Sequence, residues 1–475
     1  MRADEILEKL SCPVERRPLG PMAEDDLADL NTAVAGGRVR YEHGGVVETP
    51  LRGALATLDG SSAYRVEDGV PHLLPGLRIL RRREGDAAPG EASRVAGNAR
   101  RADMWAERSR QWSSIRPPLR PALEDIALVE CAAGEALGES RSPAPRILLL
   151  GVTPEIATMG RPPGSTPLAL DYSPAMIRNV WPSHAAGAAV ALADWSALPT
   201  GDATYDVVIG DGVLSQQRYP DDYAALAREV RRVLPNGGTL ITRVFARPER
   251  PDRLDCLFRD LHGGLIHGFD TFRWRLLRAV HRDLESGARL ADAWEAWHAH
   301  VPDPAGLMRT LGWGPHAVQI LDGYRVMETT LSFPTVAEVR GFLADDFEQA
   351  ACHVPGYEDG NLYPTLVFRA PARRPSPILN TSFETRGCAN VARARPARCA
   401  VLPRDETTAQ ADDAGRGRRA ECRHRAGPGA VRGRRAGRGG AARGPLGGGR
   451  RLVLRGARRC AGPTPRQADR ARRCR

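Results

Sequence analysis

The sequence lacks the cysteine spacing of a metal site or of a disulfide framework. Its nine cysteines are scattered, without a Cys-x-x-Cys or Cys-x-x-His pair, and structural zinc sites are built on such pairs. It also lacks any run of roughly 18 apolar residues, so a membrane-spanning helix is not predicted. Lysine is almost absent, since Lys9 is the only one. We therefore expect a soluble, cytoplasmic protein that binds no metal.

The first 375 residues also lack the positive charge that the whole chain suggests. The formal net charge is +11 at pH 7, but residues 376–475 contain 25 Arg, no Lys and 7 acidic residues. Their balance of +18 leaves −7 for the residues that precede them. Because phosphate contacts supply most of the non-specific affinity for nucleic acids, the acidic body is not expected to bind them.

Residues 374–475 lack a usable pattern of apolar residues. This Arg-, Gly- and Ala-rich segment cannot bury enough apolar surface to offset its ordering entropy, so we expect a disordered tail. Two hypotheses remain open for it: an Arg/Gly-rich nucleic-acid arm, or a GC-rich gene read in a shifted frame. Phe383 is its only aromatic residue, and arms of this kind use aromatic stacking, so the second hypothesis is favoured.

The rest of the chain divides into two predicted domains. Residues 1–80 begin with a short helix and continue with short β-like runs, which indicates a small α+β domain. An Arg-rich linker over 81–102 follows. Between residues 146 and 245 short apolar runs alternate with helical stretches, which predicts α/β architecture with a doubly wound, Rossmann-like parallel sheet. This domain spans 103–373, and its helical insertion at about 253–312 is predicted to form a lid.

Acidic residues follow three consecutive strands of the predicted sheet. Asp171 ends the second strand, 20 residues after Gly151, a spacing that suits hydrogen bonds to ribose hydroxyls. Asp194 and Trp195 follow the third strand, where they can contact a purine, and Asp211 follows the fourth. Parallel α/β sheets bind ligands at the carboxyl ends of their strands. The sequence therefore predicts a nucleoside site at this edge.

Five segments carry a family resemblance: "LLLGVTPE", "LALDYSPAMI", "LADWSALP", "YDVVIGDGVLS" and "EVRRVLPNGGTLITRVF". They resemble the motifs of class I S-adenosylmethionine-dependent methyltransferases, which implies a seven-stranded sheet with S-adenosylmethionine as cofactor. By this resemblance Gly151 lies against the methionine moiety, Asp171 binds the ribose and Asp211 lies near the sulfonium. Asp194 and Trp195 would contact adenine. The predicted cofactor-binding residues are Gly151, Glu155, Asp171, Tyr172, Asp194, Trp195 and Asp211.

A second resemblance covers most of residues 1–80. The segments "ILEKLSCPVERRPL", "LADLNTAVAGGRV" and "AYRVEDGVPHLL" are similar to the zinc-ribbon-derived domain that activates tRNA and protein methyltransferases. The zinc ligands are missing, because Val14 and Glu15 stand where a zinc ribbon repeats its cysteine. Cys12 alone cannot hold a metal, so we expect it to be a buried side chain in a turn.

The loop after the first strand departs from the glycine-rich pattern, since Val152, Thr153 and Pro154 follow Gly151. A dinucleotide needs several glycines so that its pyrophosphate can approach a helix N-terminus. S-adenosylmethionine has no phosphate, so it needs to approach the protein backbone closely at one point only. Gly151 then suffices, and Glu155 is a candidate partner for the cofactor's ammonium group. The loop favours the methyl donor over NAD.

The residue that activates the acceptor is left open. Asp211 is the first candidate for a catalytic base, and His262, His267 and Tyr357 are the others. Six lid aromatics fit either an acceptor pocket or the lid core, and the core is favoured by their helical spacing. Trp105 and Trp112 fit either packing on the next domain or covering the cofactor, and packing is favoured. These six are Phe269, Phe272, Trp274, Trp294, Trp297 and Trp313.

The sequence thus predicts an enzyme that transfers a methyl group from S-adenosylmethionine, with a small molecule as the expected acceptor. An RNA or protein acceptor is suggested by the kinship of residues 1–80. Two further hypotheses are a non-catalytic scaffold that keeps the fold and an NAD-dependent oxidoreductase.

Overall fold

The computed structural model describes residues 9–80 and 105–372, apart from residues 107, 141, 183, 184, 186 and 315. The predicted linker, the predicted tail and most of the predicted starting helix lie outside these residues. In the described ranges no helix is both long and apolar enough to cross a membrane.

The N-terminal part of the chain forms a small antiparallel sheet with one helix. Its elements are β1 (Leu19–Pro21), α1 (Glu24–Ala35), β2 (Gly53–Thr57), β3 (Ser62–Glu67), β4 (Val70–Pro71) and β5 (Ile79–Leu80). The strands pair in the order β1-β2-β3-β4, and β5 also pairs with β3. Leu30 and Val34 are four residues apart on α1, so they share one face, and they are buried in one cluster with Ala54 and Ala63 of the sheet.

A second sheet follows, with helices before and between its strands. In chain order the elements are α2 (Leu123–Glu139), β6 (Arg146–Leu150), α3 (Pro154–Ala157), β7 (Thr166–Asp171), α4 (Pro174–Val180), β8 (Ala189–Leu192), β9 (Val207–Asp211), α5 (Asp221–Val233), β10 (Thr239–Arg243), α6 (Leu254–His262), α7 (Phe269–Val280), β11 (Ala288–Arg289), α8 (Leu290–His300), α9 (Pro304–Leu311), α10 (His316–Gly323), β12 (Thr330–Leu331), α11 (Val336–Leu343), β13 (Glu348–His353) and β14 (Thr365–Arg369).

The second sheet has seven strands in the order β13-β14-β10-β9-β6-β7-β8. The five strands from β6 to β10 are parallel to one another. Strand β14 is antiparallel to β10 and to β13. This mostly parallel, seven-stranded sheet confirms the predicted α/β fold class.

Both faces of the sheet are covered, as the wholly apolar strands require. Along β6, Leu148 and Leu150 belong to an apolar cluster that includes Leu226 of α5. The alternate residue Leu149 belongs to the opposite cluster, which includes Val129 of α2. Because successive side chains of a strand point to opposite faces, helices pack on both sides of the sheet.

The segment between β10 and α11 contributes helices α6 to α10 and the β11–β12 pair, and we call it the lid. Its core is aromatic: Phe272, Trp274 and Trp297 are buried there. Phe245 lies two residues beyond β10 and packs edge-to-face on Trp274, with ring centroids 5.1 Å apart. The lid therefore packs at the carboxyl end of β10.

The N-terminal sheet contacts the edge of the seven-stranded sheet. The N–H of Leu73, just after β4, donates to the carbonyl oxygen of Leu192 in β8 over 2.7 Å. His72 forms a parallel bridge with the same residue. The N–H of Ser11 also donates to the carbonyl oxygen of Pro199 over 2.8 Å. The edge strand β8 is thus covered by the N-terminal part of the chain.

Candidate functional site

The loop after β6 turns at Gly151, whose backbone has a φ of +103°. L-residues rarely adopt this conformation, so glycine fits the turn. The N–H of Gly151 donates to the carbonyl oxygen of Leu170 in β7 over 2.8 Å. Pro154 then begins α3, where its fixed φ and missing N–H are tolerated. A single glycine therefore shapes this loop.

Asp171 ends β7 and lies beside this loop. Its side chain is buried, and its Oδ1 accepts a hydrogen bond from the N–H of Ser173 over 2.9 Å. Burial disfavours the charged carboxylate and raises the pKa of Asp171 to about 7, although backbone N–H groups of Ser173, Val152 and Tyr172 act in the opposite direction. Among the described residues no cation forms an ion pair with Asp171. The carboxylate keeps capacity to accept further hydrogen bonds.

A cavity opens at the carboxyl ends of β6, β7 and β9. The space between its walls, open solvent included, is about 890 Å³. The segment before α2 and the lid supply other parts of its wall. Five of the seven predicted cofactor residues line it: Gly151, Asp171, Tyr172, Trp195 and Asp211.

Trp195 is held beside the loop by a hydrogen bond. Its indole N–H donates to the carbonyl oxygen of Leu170 over 2.8 Å, and a Cβ added at Gly151 would lie 3.8 Å from its ring. The neighbouring Asp194 does not line the cavity. Its Oδ1 accepts hydrogen bonds from the N–H and the hydroxyl of Ser196, over 2.8 and 2.7 Å. Asp194 therefore stabilises the turn after β8, which argues against its predicted contact with adenine.

Glu155 also lies outside the cavity wall. Its Oε1 accepts a hydrogen bond from Nε of Arg120 over 2.8 Å, and the Arg120 guanidinium lies over the ring of Trp112, 5.4 Å from its centroid. Arg120 engages Oε1, while Oε2 of Glu155 is buried without a hydrogen-bond partner among the described residues, so the predicted contact with an ammonium group stays a prediction. The pairing was not visible in the sequence, since 35 residues separate Arg120 from Glu155.

Sequence reasoning missed Arg243, the last residue of β10, which pairs directly opposite Asp211 of β9. Nε of Arg243 lies 2.6 Å from Oδ1 of Asp211, and one of its terminal nitrogens lies 3.1 Å from Oδ2. Burial acts to lower the pKa of Arg243, but Asp211 and Asp125 outweigh it and the pKa lies above its ordinary value. Since both oxygens of Asp211 are engaged, this geometry argues against Asp211 as the general base. A charged residue ending an otherwise uncharged strand was the available signal.

The other predicted bases do not face the cavity. The hydroxyl of Tyr357 donates to both oxygens of Asp125, over 3.0 and 3.1 Å, and burial raises its pKa above the ordinary value. Asp125 is itself fully buried in α2, 3.4 Å from Arg243. His262 and His267 are exposed on the lid surface. None of these side chains is placed to take a proton from a ligand in the cavity.

Besides Trp195, three tryptophans line the cavity: Trp105 and Trp112 before α2, and Trp274 of the lid. Their indole N–H groups are buried, and none has a hydrogen-bond partner within the part of the chain that is described. Buried donors are normally satisfied, so these three indoles are unusual. The other lid aromatics pack in the lid core, as their helical spacing indicates: Phe269, Phe272, Trp294, Trp297 and Trp313.

Cys12 is a packed side chain. It is fully buried, its Sγ lies 3.2 Å from the hydroxyl of Tyr64, and it accepts a hydrogen bond from the N–H of Glu15 over 3.3 Å. Across residues 9–80 and 105–372, with the stated gaps, no group of three or more His, Cys, Asp or Glu side chains is placed to hold a metal ion.

A family comparison identifies part of the domain that contains this cavity. Residues 152–242 match the family model for a methyltransferase domain, a range that includes Asp171, Trp195 and Asp211. The match covers less than half of the chain. Together with the seven-stranded sheet it supports a class I methyltransferase domain. A comparison with curated proteins found no match.

Several solved structures share similarity with this chain at low identity. The N-methyltransferase NodS from Bradyrhizobium japonicum, in complex with S-adenosylhomocysteine, is 12% identical with a TM-score of 0.31, and the match covers 57% of this chain and 99% of that one. The 1,6-didemethyltoxoflavin-N1-methyltransferase from Burkholderia thailandensis is 14% identical with a TM-score of 0.33, covering 66% and 98%. A methyltransferase from Methanosarcina mazei is 15% identical with a TM-score of 0.29, covering 50% and 96%. Similarity at this level does not transfer an activity from one protein to another.

Proposed function

We propose that this protein transfers a methyl group from S-adenosylmethionine to a small-molecule acceptor. The observation that carries the proposal is the convergence of Gly151, Asp171, Trp195 and Asp211 on one cavity at the strand ends. Ligands of parallel α/β sheets bind at this edge, and the methyltransferase family match includes the last three of these residues.

Each of these side chains suits one part of the proposed cofactor. The Asp171 carboxylate can accept hydrogen bonds from two ribose hydroxyls, because no cation among the described residues competes for it. Gly151 has no side chain to block the methionine moiety, and the ring of Trp195 offers a flat surface to a purine. When bound, S-adenosylmethionine would supply the methyl group on its positively charged sulfur. The carboxylate of Asp211 would lie near that positive charge, although its own negative charge is neutralised by Arg243.

The residues of this chain are proposed to act by orientation and by excluding water. A displacement at a sulfonium carbon depends mainly on alignment of the two reacting atoms. Asp211 is held by Arg243 and none of the other candidate bases faces the cavity, so no described side chain is assigned to remove a proton. We therefore propose an acceptor atom that is already nucleophilic when it binds.

Ligand-dependent thermal stability tests the cofactor assignment. A ligand that binds only the native state raises the melting temperature, so S-adenosylmethionine and S-adenosylhomocysteine should each raise it while NAD does not. A shift with NAD alone would favour the oxidoreductase hypothesis, and no shift with either sulfur compound at saturation would favour a scaffold. Transfer of radiolabelled methyl groups to RNA or protein, and not to small molecules, would redirect the acceptor assignment.

We further propose that residues 1–80 act as a built-in activator of the methyltransferase domain. This is supported by the pairing of Leu73 with Leu192 and by the ion pair between Arg16 and Glu229 of α5, with N and O atoms 3.0 Å apart. Removal of residues 1–102 should abolish soluble expression or S-adenosylhomocysteine binding, and co-expression with residues 1–80 should restore it. Full binding by the shortened protein alone would contradict this role.

A further inference from the structure

Among the described residues that line the cavity, one is a cation: Arg108, in the segment before α2. Within the described ranges it has no hydrogen bond or ion pair to a protein group. The guanidinium group stays charged at any ordinary pH, so a partly buried guanidinium without a counter-ion is costly. A ligand with a negative charge would remove that cost.

The electrostatic neighbours of Arg108 belong to the lid. They are Arg273 and Asp270 of α7, and Tyr324 just after α10. Burial and the positive charge of Arg273 lower the pKa of Arg108. None of these neighbours belongs to the loop after β6 or to the strand ends. Arg108 therefore faces the part of the cavity that the proposed cofactor residues do not supply.

Unpaired donors accompany this cation. The hydroxyl of Tyr324 is buried and, like the indole N–H of Trp274, has no hydrogen-bond partner in the described structure. Arg273 is already neutralised by Asp270, with N and O atoms 2.8 Å apart. One unpaired cation among neutral donors suits a single negative charge with several acceptor lone pairs, and a carboxylate has both properties.

The rest of the lid-side wall is apolar and aromatic. Phe245 and Trp274 meet edge-to-face there, and Leu331 also lines the cavity. An aromatic or aliphatic ligand body fits such a wall. We infer that the methyl acceptor is a small apolar or aromatic carboxylate, whose carboxylate is bound by Arg108 and whose body packs on Phe245 and Trp274. This inference rests on the proposed methyltransferase function.

Isothermal titration with matched probes tests the inference on the full-length protein saturated with S-adenosylhomocysteine. The probes are 2-naphthoate and 2-naphthamide, which share their shape and differ in charge. The wild-type protein should bind the carboxylate at least tenfold more tightly than the amide. Arg108→Gln should abolish this preference, and Arg108→Lys should retain part of it. Arg110→Gln is the matched control, because Arg110 is exposed on the same segment and does not line the cavity.

The outcomes separate the inference from the proposed function. An S-adenosylhomocysteine thermal shift in all variants shows that they are folded and bind the nucleoside. Where that shift is present, any of three results overturns the inference and leaves the proposed function standing. The amide binds as well as the carboxylate, neither probe binds at millimolar concentration, or the preference for the carboxylate survives in Arg108→Gln. If no variant or wild-type protein responds to S-adenosylhomocysteine, the proposed function fails first.

One further arm distinguishes the acceptor's carboxylate from the cofactor's own. 5′-Methylthioadenosine lacks the amino-acid part of S-adenosylhomocysteine, so it cannot use a carboxylate-binding residue. If Arg108 binds the acceptor, Arg108→Gln should leave the affinity for both nucleosides within about twofold of wild type. A loss of tenfold or more for S-adenosylhomocysteine alone would assign Arg108 to the cofactor and overturn the inference.

Discussion

Lowering the pH from 8 to 5 is expected to weaken S-adenosylhomocysteine binding through one carboxyl group. Burial raises the pKa of Asp171 to about 7, whereas an Asp in an unfolded chain titrates near 3.9. Ribose hydroxyls donate hydrogen bonds, so the proposed site needs the charged carboxylate as acceptor. A protonated Asp171 must lose its proton before it can accept both bonds.

The magnitude follows from the fraction of Asp171 that is ionised. Two pH units below the pKa about 1% of the side chains are charged, which sets an upper limit of roughly 100-fold, or about 2.7 kcal/mol, on the loss of affinity at pH 5. A protonated carboxyl keeps one good acceptor oxygen, so we expect a loss between about tenfold and that limit. Above pH 8 the affinity should be constant.

The assay is calorimetric titration of S-adenosylhomocysteine at pH 5, 6, 7 and 8. Asp171→Asn cannot ionise, so it should bind more weakly at pH 8 and lose the pH dependence of the wild-type protein. Asp194→Asn is the matched control, since this strand-end acid lies outside the cavity, and it should behave as wild type. A pH dependence that persists unchanged in Asp171→Asn would refute the reasoning.

Three other substitutions test separate parts of the structure. Gly151→Ala should lower the free energy of unfolding in urea by about 1–3 kcal/mol, because a φ of +103° strains any L-residue; wild-type stability would contradict this. Arg243→Gln should lower the free energy of unfolding in urea by about 3–5 kcal/mol, since it leaves Asp211 and Asp125 buried without a counter-charge, and a loss under about 1 kcal/mol would be evidence against the pairing. Burial lowers the pKa of His281 to about 4, so between pH 6.5 and 4 the folded state binds fewer protons than the unfolded state. The free energy of unfolding should therefore fall by up to about 3 kcal/mol as the pH drops through this range. His281→Gln should remove this part of the pH dependence in urea unfolding.

The strand ends could be predicted from the sequence because strands buried on both faces are wholly apolar. The first polar residue after such a run marks where the strand reaches the sheet edge. Asp171 and Asp211 are the last residues of β7 and β9, and both line the cavity. The same reasoning cannot tell which way a side chain turns once the strand has ended. Asp194 lies two residues beyond β8, and there a local turn with Ser196 holds it away from the cavity.

The pairings between distant segments could not be predicted from one sequence. Arg243 finds Asp211 because β10 lies beside β9, and periodicity gives no strand order. Arg120 similarly reaches Glu155 from the segment before β6. Arg108 could not be predicted as a site residue because Arg is common in this chain, and a charge without a partner is recognisable only when its surroundings are known.

The contact of Leu73 with Leu192 has a consequence for how the chain is made. An open strand at the margin of a sheet invites pairing with another polypeptide. Here the protecting segment is 119 residues nearer the amino terminus than the strand it protects, so it leaves the ribosome first. When β8 emerges, the segment that covers this edge strand has already been synthesised, so it is available to prevent β8 from pairing with neighbouring copies.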